Sequence, residues 1–177
     1  PKDLSESLMA AFRDLPKLCP HIHLPVQSGA DRILKKMNRK YTRADYLDRV
    51  QRLRAFCPDI AITSDIIVGF PGETAEDFAA TRSLIDTVGY DGLFVFMYSD
   101  RPNAAAARFS DKVDEAVSRE RLQEVLRQQE AHTLRAHEAL VGHTQEVLVE
   151  GRSKLDNAGA GNGQATGSGG VQWMGRT

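Results

Sequence analysis

Cysteine is nearly absent from this 177-residue chain, which has only Cys19 and Cys57, far apart in sequence. That arrangement matches no disulfide framework, zinc knuckle or iron–sulfur motif, so both read as ordinary reduced residues and neither builds a metal site. Long hydrophobic runs are missing as well. No apolar stretch approaches the roughly 18 residues of a membrane span and none resembles a signal peptide, so the expectation is a cytoplasmic protein with no membrane attachment. Familiar catalytic signatures are also lacking: the sequence has no Gly-x-Ser-x-Gly elbow, no His-Glu-x-x-His pair and no Gly-rich Lys-Ser/Thr phosphate loop. An initiating methionine is absent too. The chain opens at Pro1 and stops at Thr177 just after an apolar patch, and together these ends read as those of a fragment.

What is present is an ordinary globular composition, 41% hydrophobic and 27% charged, long enough for one domain and part of another. The net charge of −1 conceals an asymmetry. Between Asp31 and Arg54 the cations Arg32, Lys35, Lys36, Arg39, Lys40, Arg43, Arg49, Arg52 and Arg54 face three aspartates. From Ala55 to Asp100, Arg82 is the lone cation among eight acidic residues. Two readings fit: a surface facing a polyanion, or two solvated helix faces that differ in sign.

The pattern alternates helices with short apolar strands. Asp3 as N-cap predicts a helix from about Leu4 to Leu15, with Leu4, Leu8, Ala11, Phe12 and Leu15 on one face and Pro16 as its stop. His21 to Gln27 alternates as a strand, Ile22, Leu24 and Val26 on one side and His21, His23, Pro25 and Gln27 on the other. Ser28-x-x-Asp31, Thr42-x-x-Asp45 and Thr74-x-x-Asp77 are capping signals, each predicted to open a helix. Ile60 to Phe70 is a nearly continuous apolar run, suited to a parallel strand covered on both faces. The helix after Thr74 carries Phe78, Thr81, Ile85 and Val88 inward and ends at Gly89. Leu93 to Tyr98 is a further strand. A long polar helix from about Ser118 to Val141 has Leu122, Val125, Leu126 and Leu140 as its sparse apolar stripe. Thr144 to Glu150 reads as a strand. The stretch after it, rich in Gly, Ser, Asn and Ala, reads as a flexible tail or as the start of a small β domain.

Strand, polar loop and capped helix in repetition predict βα units around a parallel sheet, whose strand ends gather the loops on one edge. Active sites of barrels and open sheets collect there. Three loops qualify. Gln27 and Ser28 stand at a strand's C-terminal end, whereas His21 and His23 read more simply as strand residues with local partners. Asp65, inside an apolar strand, is either a structural acceptor or a receiver of ligand hydroxyls. After it, Gly69-Phe70-Pro71-Gly72 makes a tight turn whose missing side chains let a flat ligand reach the backbone. Arg101, after Tyr98-Ser99-Asp100, either clamps an anionic group or pairs with Asp100 or Asp91. Residue chemistry alone thus reaches an α/β barrel or open sheet with a ligand edge.

Taken together, three segments are far more specific. HLPVQSGADRILKKMNRKYTRADYL (His23 to Leu47), ITSDIIVGFPGETAEDF (Ile62 to Phe78) and FMYSDRP (Phe96 to Pro102) resemble, in order and spacing, the radical S-adenosylmethionine methylthiotransferases. The resemblance covers about residues 1–150. It implies an α/β fold, half of a partial (βα)6 barrel with parallel strands over residues 1–142, followed by an incomplete β segment over 143–177 that resembles the start of a tRNA-binding TRAM domain. His23-Leu24-Pro25-Val26-Gln27-Ser28-Gly29 and Met37-Asn38-Arg39-Lys40-Tyr41-Thr42 look like the tRNA-modifying branch that adds a methylthio group to isopentenyl-adenosine beside the anticodon. The branch acting on threonylcarbamoyl-adenosine is the nearest competitor. The implied cofactors are S-adenosylmethionine and [4Fe–4S] clusters, and the implied partners are tRNA and the missing N-terminal part of a parent protein. By the same resemblance Gln27, Ser28, Asp65, Gly69, Phe70, Pro71 and Arg101 line the cofactor side of the barrel, and the basic stretch from Asp31 to Arg54 contacts tRNA phosphates.

The departures carry equal weight. The cluster motif Cys-x-x-x-Cys-x-x-Cys is absent, so this chain alone has no cluster ligands and no catalytic residue of its own to name. Ala30 stands where the family often has Ser, and Asn103-Ala104-Ala105-Ala106 replaces a common Gly-Thr-Pro-Ala. Two other readings remain: a non-enzymatic RNA-binding relative, and a different barrel enzyme using Asp65 and the histidines without iron.

Overall fold

The computed structural model of the chain describes residues 3–102, 104–153 and 173–176. The chain divides into two compact units, residues 1–138 and 139–177.

In the first unit a capped helix leads into the sheet. α1 spans Glu6–Asp14, and its N-cap is Ser5, whose Oγ accepts from the Leu8 amide, rather than Asp3. The register of its inner face also differs from the sequence expectation: Met9 is the buried residue, while Leu8 and Leu15 are exposed. Leu4 and Phe12 do pack against the core.

Three parallel strands, β1 (His21–His23), β2 (Ala61–Val68) and β3 (Gly92–Met97), form a sheet in that order. β1 is shorter than its alternation predicts because Pro25 has no N–H to give to the ladder. Pairing with β2 resumes as an isolated bridge from Gln27 to Ile66, and Val26 N–H finds the Ser64 hydroxyl at 3.0 Å. β2 alternates between half-exposed and buried residues along its whole length. Ile62, Ser64, Ile66 and Val68 face the helices. Ala61, Thr63, Asp65 and Ile67 form the opposite, open face. The expectation of a strand covered on both faces is thereby corrected: one side of this sheet is a concave wall.

Helices α2 (Asp31–Lys36), α3 (Arg43–Phe56) and α4 (Ala75–Val88) cover the other side. Thr42 and Thr74 cap α3 and α4 through complete capping boxes with Asp45 and Asp77, as their spacing predicts. Gly89 ends α4 in the left-handed conformation. The third capping signal fails. Ser28 does not cap α2; the N-cap is Ala30, with no side-chain cap, and Ser28 is fully buried. Its hydroxyl instead accepts from Ala30 N–H at 3.2 Å and meets Thr81 Oγ1 at 3.4 Å, joining the strand's end to α4. The core between sheet and helices holds Val26, Tyr46, Leu53, Ile62, Ile66, Leu84 and Ile85, with Tyr46 and Tyr90 bonded hydroxyl to hydroxyl at 3.0 Å.

α5 (Glu115–Ala139) follows a short 3₁₀ turn at Ala105–Arg108. The residues it buries are Ser118, Arg121, Val125 and Gln129, so three of the four are polar. Leu126 and Leu140, read from the sequence as its apolar stripe, are exposed. The apolar count was too low to define a face, and hydrogen bonds define it instead.

The second unit contains β4 (Leu148–Arg152) and β5 (Trp173–Arg176), paired antiparallel with an irregularity between Val149 and Gly151. β4 begins four residues later than the strand read from Thr144. Lys154 to Gln172, which include most of the glycine-rich stretch, lie outside the described residues.

Candidate functional site

The concave face of the sheet opens into a cavity of about 730 Å³, within the usual range for small-molecule sites. Its walls come from the end of β1, the middle of β2, the end of β3 with its loop, and the last turn of α2. The apolar wall is Ile67, Phe70, Phe96 and Met97, and the polar groups include Gln27, Asp65, Ser99 and Arg101. All lie toward the C-terminal ends of parallel strands, where α/β folds bind ligands.

Gln27 reaches the cavity through a backbone with φ of 73°. That left-handed conformation is uncommon for a residue with a side chain. It is held by ladder bonds on both sides, Gln27 N–H to Asp65 O and Ile67 N–H to Gln27 O, each 2.9 Å. The Gln27 amide approaches Asp65 Oδ2 at 3.5 Å, and His23 Nε2 lies 3.3 Å from Asp65 Oδ1. His23 Nδ1 is 3.0 Å from Thr63 Oγ1, which is also 3.3 Å from His21 Nε2. The histidines therefore do find local partners, but these are side chains on the concave face rather than backbone groups. Asp65 is a half-open carboxylate with two polar neighbours and free lone pairs toward the cavity.

The turn after β2 shapes the floor. Gly69, at φ 70°, donates its N–H to Glu73 Oε2 at 2.8 Å. A side chain there would strike Ser118 of α5, its Cβ falling 2.1 Å from the Ser118 hydroxyl. Phe70 is buried between the edges of Tyr98 and Phe109. Pro71 offers only its carbonyl, to Lys36 Nζ at 3.4 Å.

The loop after β3 leaves Arg101 without an ion-pair partner among the described residues. Asp100 accepts from the Tyr98 hydroxyl at 2.8 Å and from Lys112. These hydrogen bonds, Lys112's first, hold its carboxyl below the ordinary range. Asp91 caps the Ile62 amide at 2.7 Å. Both acids read from the sequence as alternative partners of Arg101 are thus engaged elsewhere.

Of the residues read from the sequence as a cofactor-side lining, the structure gathers Gln27, Asp65, Phe70 and Arg101 around one cavity. It places Ser28 in the core behind the sheet, and Gly69 and Pro71 in the turn that supports Phe70. Two groups at this site were missed as individuals. Glu73 and Arg121 form a buried ion pair beneath the turn, 2.7 Å apart. Nothing in the polar sequence of α5 singled out Arg121, though a glutamate directly after Gly72 was a usable signal. The basic stretch is also largely spent internally: Arg32 on Asp77 and Gly72 O, Lys36 on Asp111, Arg43 on Ala80 O, Arg52 on Glu6. Among the described residues no group of three or more His, Cys, Asp or Glu is arranged to hold a metal ion.

A parallel half-barrel with a nucleoside-sized cavity at its strand ends is the architecture expected of a radical SAM domain. Residues 1–85 match the model of the radical SAM superfamily. It is 56% identical over 154 residues to the tRNA-2-methylthio-N(6)-dimethylallyladenosine synthase of Syntrophus aciditrophicus, covering 87% of this chain and 33% of that protein. It is 51% identical over all 177 residues to the synthase of the same name from Desulfosudis oleivorans, 37% of that protein. The chain thus spans about a third of the length of the curated relatives it matches. Among solved structures it resembles coproporphyrinogen III oxidase from Escherichia coli, described as a radical SAM enzyme, with a TM-score of 0.54 and 24% identity over 64% of this chain and 27% of that one. That likeness concerns the fold.

Proposed function

We propose that this chain is the C-terminal half of the catalytic barrel of a cytoplasmic tRNA methylthiotransferase, one that places a methylthio group on an isopentenyl-type adenosine beside the anticodon. The observation that carries the reading is the cavity at the strand ends, whose four gathered side chains stand in the segments that match the synthases.

The residues fit S-adenosylmethionine. Ile67, Phe70 and Met97 offer an apolar surface for a flat purine, Asp65 an acceptor for ribose hydroxyls, Gln27 an amide, and Arg101, without an ion-pair partner among the described residues, a guanidinium for a carboxylate. When bound to a reduced cluster, that cofactor supplies a radical that removes hydrogen from an unreactive carbon. The residues do not fit the cluster itself: Cys19 is exposed, Cys57 is half-buried in the core-facing end of α3, and no third thiolate exists. This segment therefore binds and orients, shields the cavity with Phe70 and Phe96, and leaves iron ligation to other parts of a parent enzyme. The β4–β5 ribbon is read as the start of an RNA-binding TRAM-like domain.

The test is a graft. Residues 1–177 replace the matching segment of the S. aciditrophicus synthase in cells lacking the enzyme, and digested tRNA is analysed by mass spectrometry. Recovery of the methylthio-isopentenyl nucleoside is expected. A graft that folds and loads its clusters yet leaves tRNA unmodified would sink the reading.

A further inference from the structure

We infer that Arg39 is a phosphate-binding residue at the mouth of the cavity, gripping the backbone of a single-stranded ribonucleotide whose base enters it. The inference rests on the methylthiotransferase reading and narrows the RNA contact within the basic stretch to one side chain.

The argument is one of elimination followed by geometry. Of the nine cations between Asp31 and Arg54, most are engaged by the protein itself. Arg32, Lys36 and Arg52 have carboxylate partners, Arg43 and Arg54 donate to the carbonyls of Ala80 and Gly89, and Arg49 donates to Asp45 O. Lys40 donates to the Asn38 amide oxygen at 2.7 Å. Lys35 and Arg39 remain without a side-chain hydrogen bond or ion pair among the described residues. Only Arg39 lines the cavity.

Its placement is built, not incidental. α2 ends in a Schellman motif: Asn38 N–H bonds Lys35 O at 3.0 Å, Arg39 N–H bonds Leu34 O at 2.9 Å, and Asn38 takes the left-handed conformation at φ 58°. Lys40 fixes the Asn38 side chain. Two residues on, the buried Tyr41 donates its hydroxyl to Val26 O at 3.1 Å, tying the segment to the end of the β1 region. Arg39 is thus held between a closed helix end and an anchored tyrosine, and its guanidinium is exposed on the rim. Arg101 lines the same cavity from the β3 loop. Two guanidiniums without ion-pair partners among the described residues, on one cavity, suit two anions, and the site as read contains two: the cofactor carboxylate, assigned to Arg101, and the phosphodiester of the entering nucleotide, taken by Arg39. Guanidinium meets phosphate in bidentate fashion, and a splayed single-stranded base leaves its phosphate at the mouth of the pocket that holds it.

The experiment measures binding of the 177-residue chain to a fluorescent RNA hairpin with adenosine in its loop, across a salt series. Circular dichroism verifies that each variant keeps the fold. Arg39→Gln is expected to weaken binding about tenfold and to lower the salt slope by about 1, the signature of one lost phosphate contact. Arg39→Lys should restore the slope. Lys35→Gln, outside the cavity, should bind within about twofold of the parent. The inference falls if Arg39→Gln binds like the parent, if Lys35→Gln weakens binding as much, or if the parent does not bind the hairpin. It also falls if Arg39→Gln, made in the grafted synthase, weakens S-adenosylmethionine alone. The graft's tRNA product tests the underlying function separately, so an active graft with an indifferent Arg39 overturns this inference alone.

Discussion

Arg121 Nη1 lies 2.7 Å from Glu73 Oε2, and the same oxygen accepts the Gly69 amide at 2.8 Å. One carboxylate thus ties the left-handed glycine after β2 to the long helix that crosses behind it. Arg121 also donates to Glu73 O at 3.2 Å and stacks over Phe78, 5.3 Å from its centroid. The turn that supports Phe70 keeps its shape because α5 holds it from behind. Glu73 has no exposed side-chain surface, and its Oε1 has no hydrogen-bond partner among the described residues.

Removing one member of such a pair leaves a buried charge uncompensated. Arg121→Met should therefore destabilise the chain by about 3 kcal/mol, read as a fall in the urea midpoint. Glu73→Gln keeps an acceptor for Gly69 N–H but strips the buried Arg121 guanidinium of its counter-charge, and should also cost about 3 kcal/mol. A loss below about 1 kcal/mol from either variant would show that the two groups are not acting as a buried ion pair.

Titration should separate two carboxylates whose pKa values shift in opposite directions. Burial pushes the Glu73 carboxyl up, against the hydrogen bonds from Gly69 and Arg121. A raised carboxylate contributes most at low pH and loses that contribution as pH rises through its folded pKa. The deficit of Glu73→Gln should therefore shrink from pH 4 to pH 7. For Asp77, burial pushes up but is outweighed by the Thr74 amide and the Arg32 guanidinium, so its carboxyl sits below the usual range. Its contribution is present above about pH 4, near the ordinary aspartate value, and is lost as pH falls below it. Asp77→Asn should flatten the acid limb of the stability curve. An unchanged acid limb would contradict the capping geometry.

Much of this fold was legible because local chemistry and tertiary packing agree. The capping boxes at Thr42 and Thr74 announce themselves by spacing, and Phe78, Thr81, Ile85 and Val88 bury as their period requires. Ser28 shows where the same signal misleads. A Ser-x-x-Asp pattern at the end of a strand satisfies a capping rule, but the strand's continuation draws Ser28 into the core, where Thr81 competes for its hydroxyl. α5 was misread for a different reason: Ser118, Arg121 and Gln129 bury through hydrogen bonds to Asp114, Glu73 and Tyr90, which no hydrophobic period can reveal. In the site, Gln27, Asp65 and Arg101 were legible as polar residues at strand ends. That neither Asp100 nor Asp91 pairs with Arg101 depends on where those two acids turn, which is a tertiary fact.

Ser28 and Arg101 should separate stability from ligand affinity. Ser28→Ala removes a buried hydroxyl that accepts from Ala30 and meets Thr81, and should cost about 1 to 2 kcal/mol in denaturation. In the grafted synthase its affinity for S-adenosylmethionine, read by calorimetry, should match the parent. Arg101→Ala should do the reverse, leaving the urea midpoint within about 0.5 kcal/mol while weakening the cofactor about tenfold. Were Ser28→Ala to weaken the cofactor as well, the hydroxyl would have to reach the cavity from a conformation other than this one.

The concave wall carries a liability. Phe94 and Phe96 are 57% and 53% exposed, on the same face as Asp65 and Ile67, which pair with them across β2 and β3. Two adjacent large aromatics on an open sheet face form the kind of apolar patch that soluble proteins usually cover. β1, at one side of the three-stranded sheet, adds an unpaired strand edge among the described residues. The isolated 177-residue chain should therefore self-associate as its concentration rises in sedimentation velocity. Phe94→Ser with Phe96→Ser should shift it toward monomer, because the driving surface is removed while the core behind β3 is untouched. If the double variant associates as strongly as the parent, the contact runs through the strand edge rather than the aromatic wall. A parent that stays monomeric at high concentration would mean that His23, packed edge-on against Phe94 at 5.9 Å, and its neighbours already shield the face.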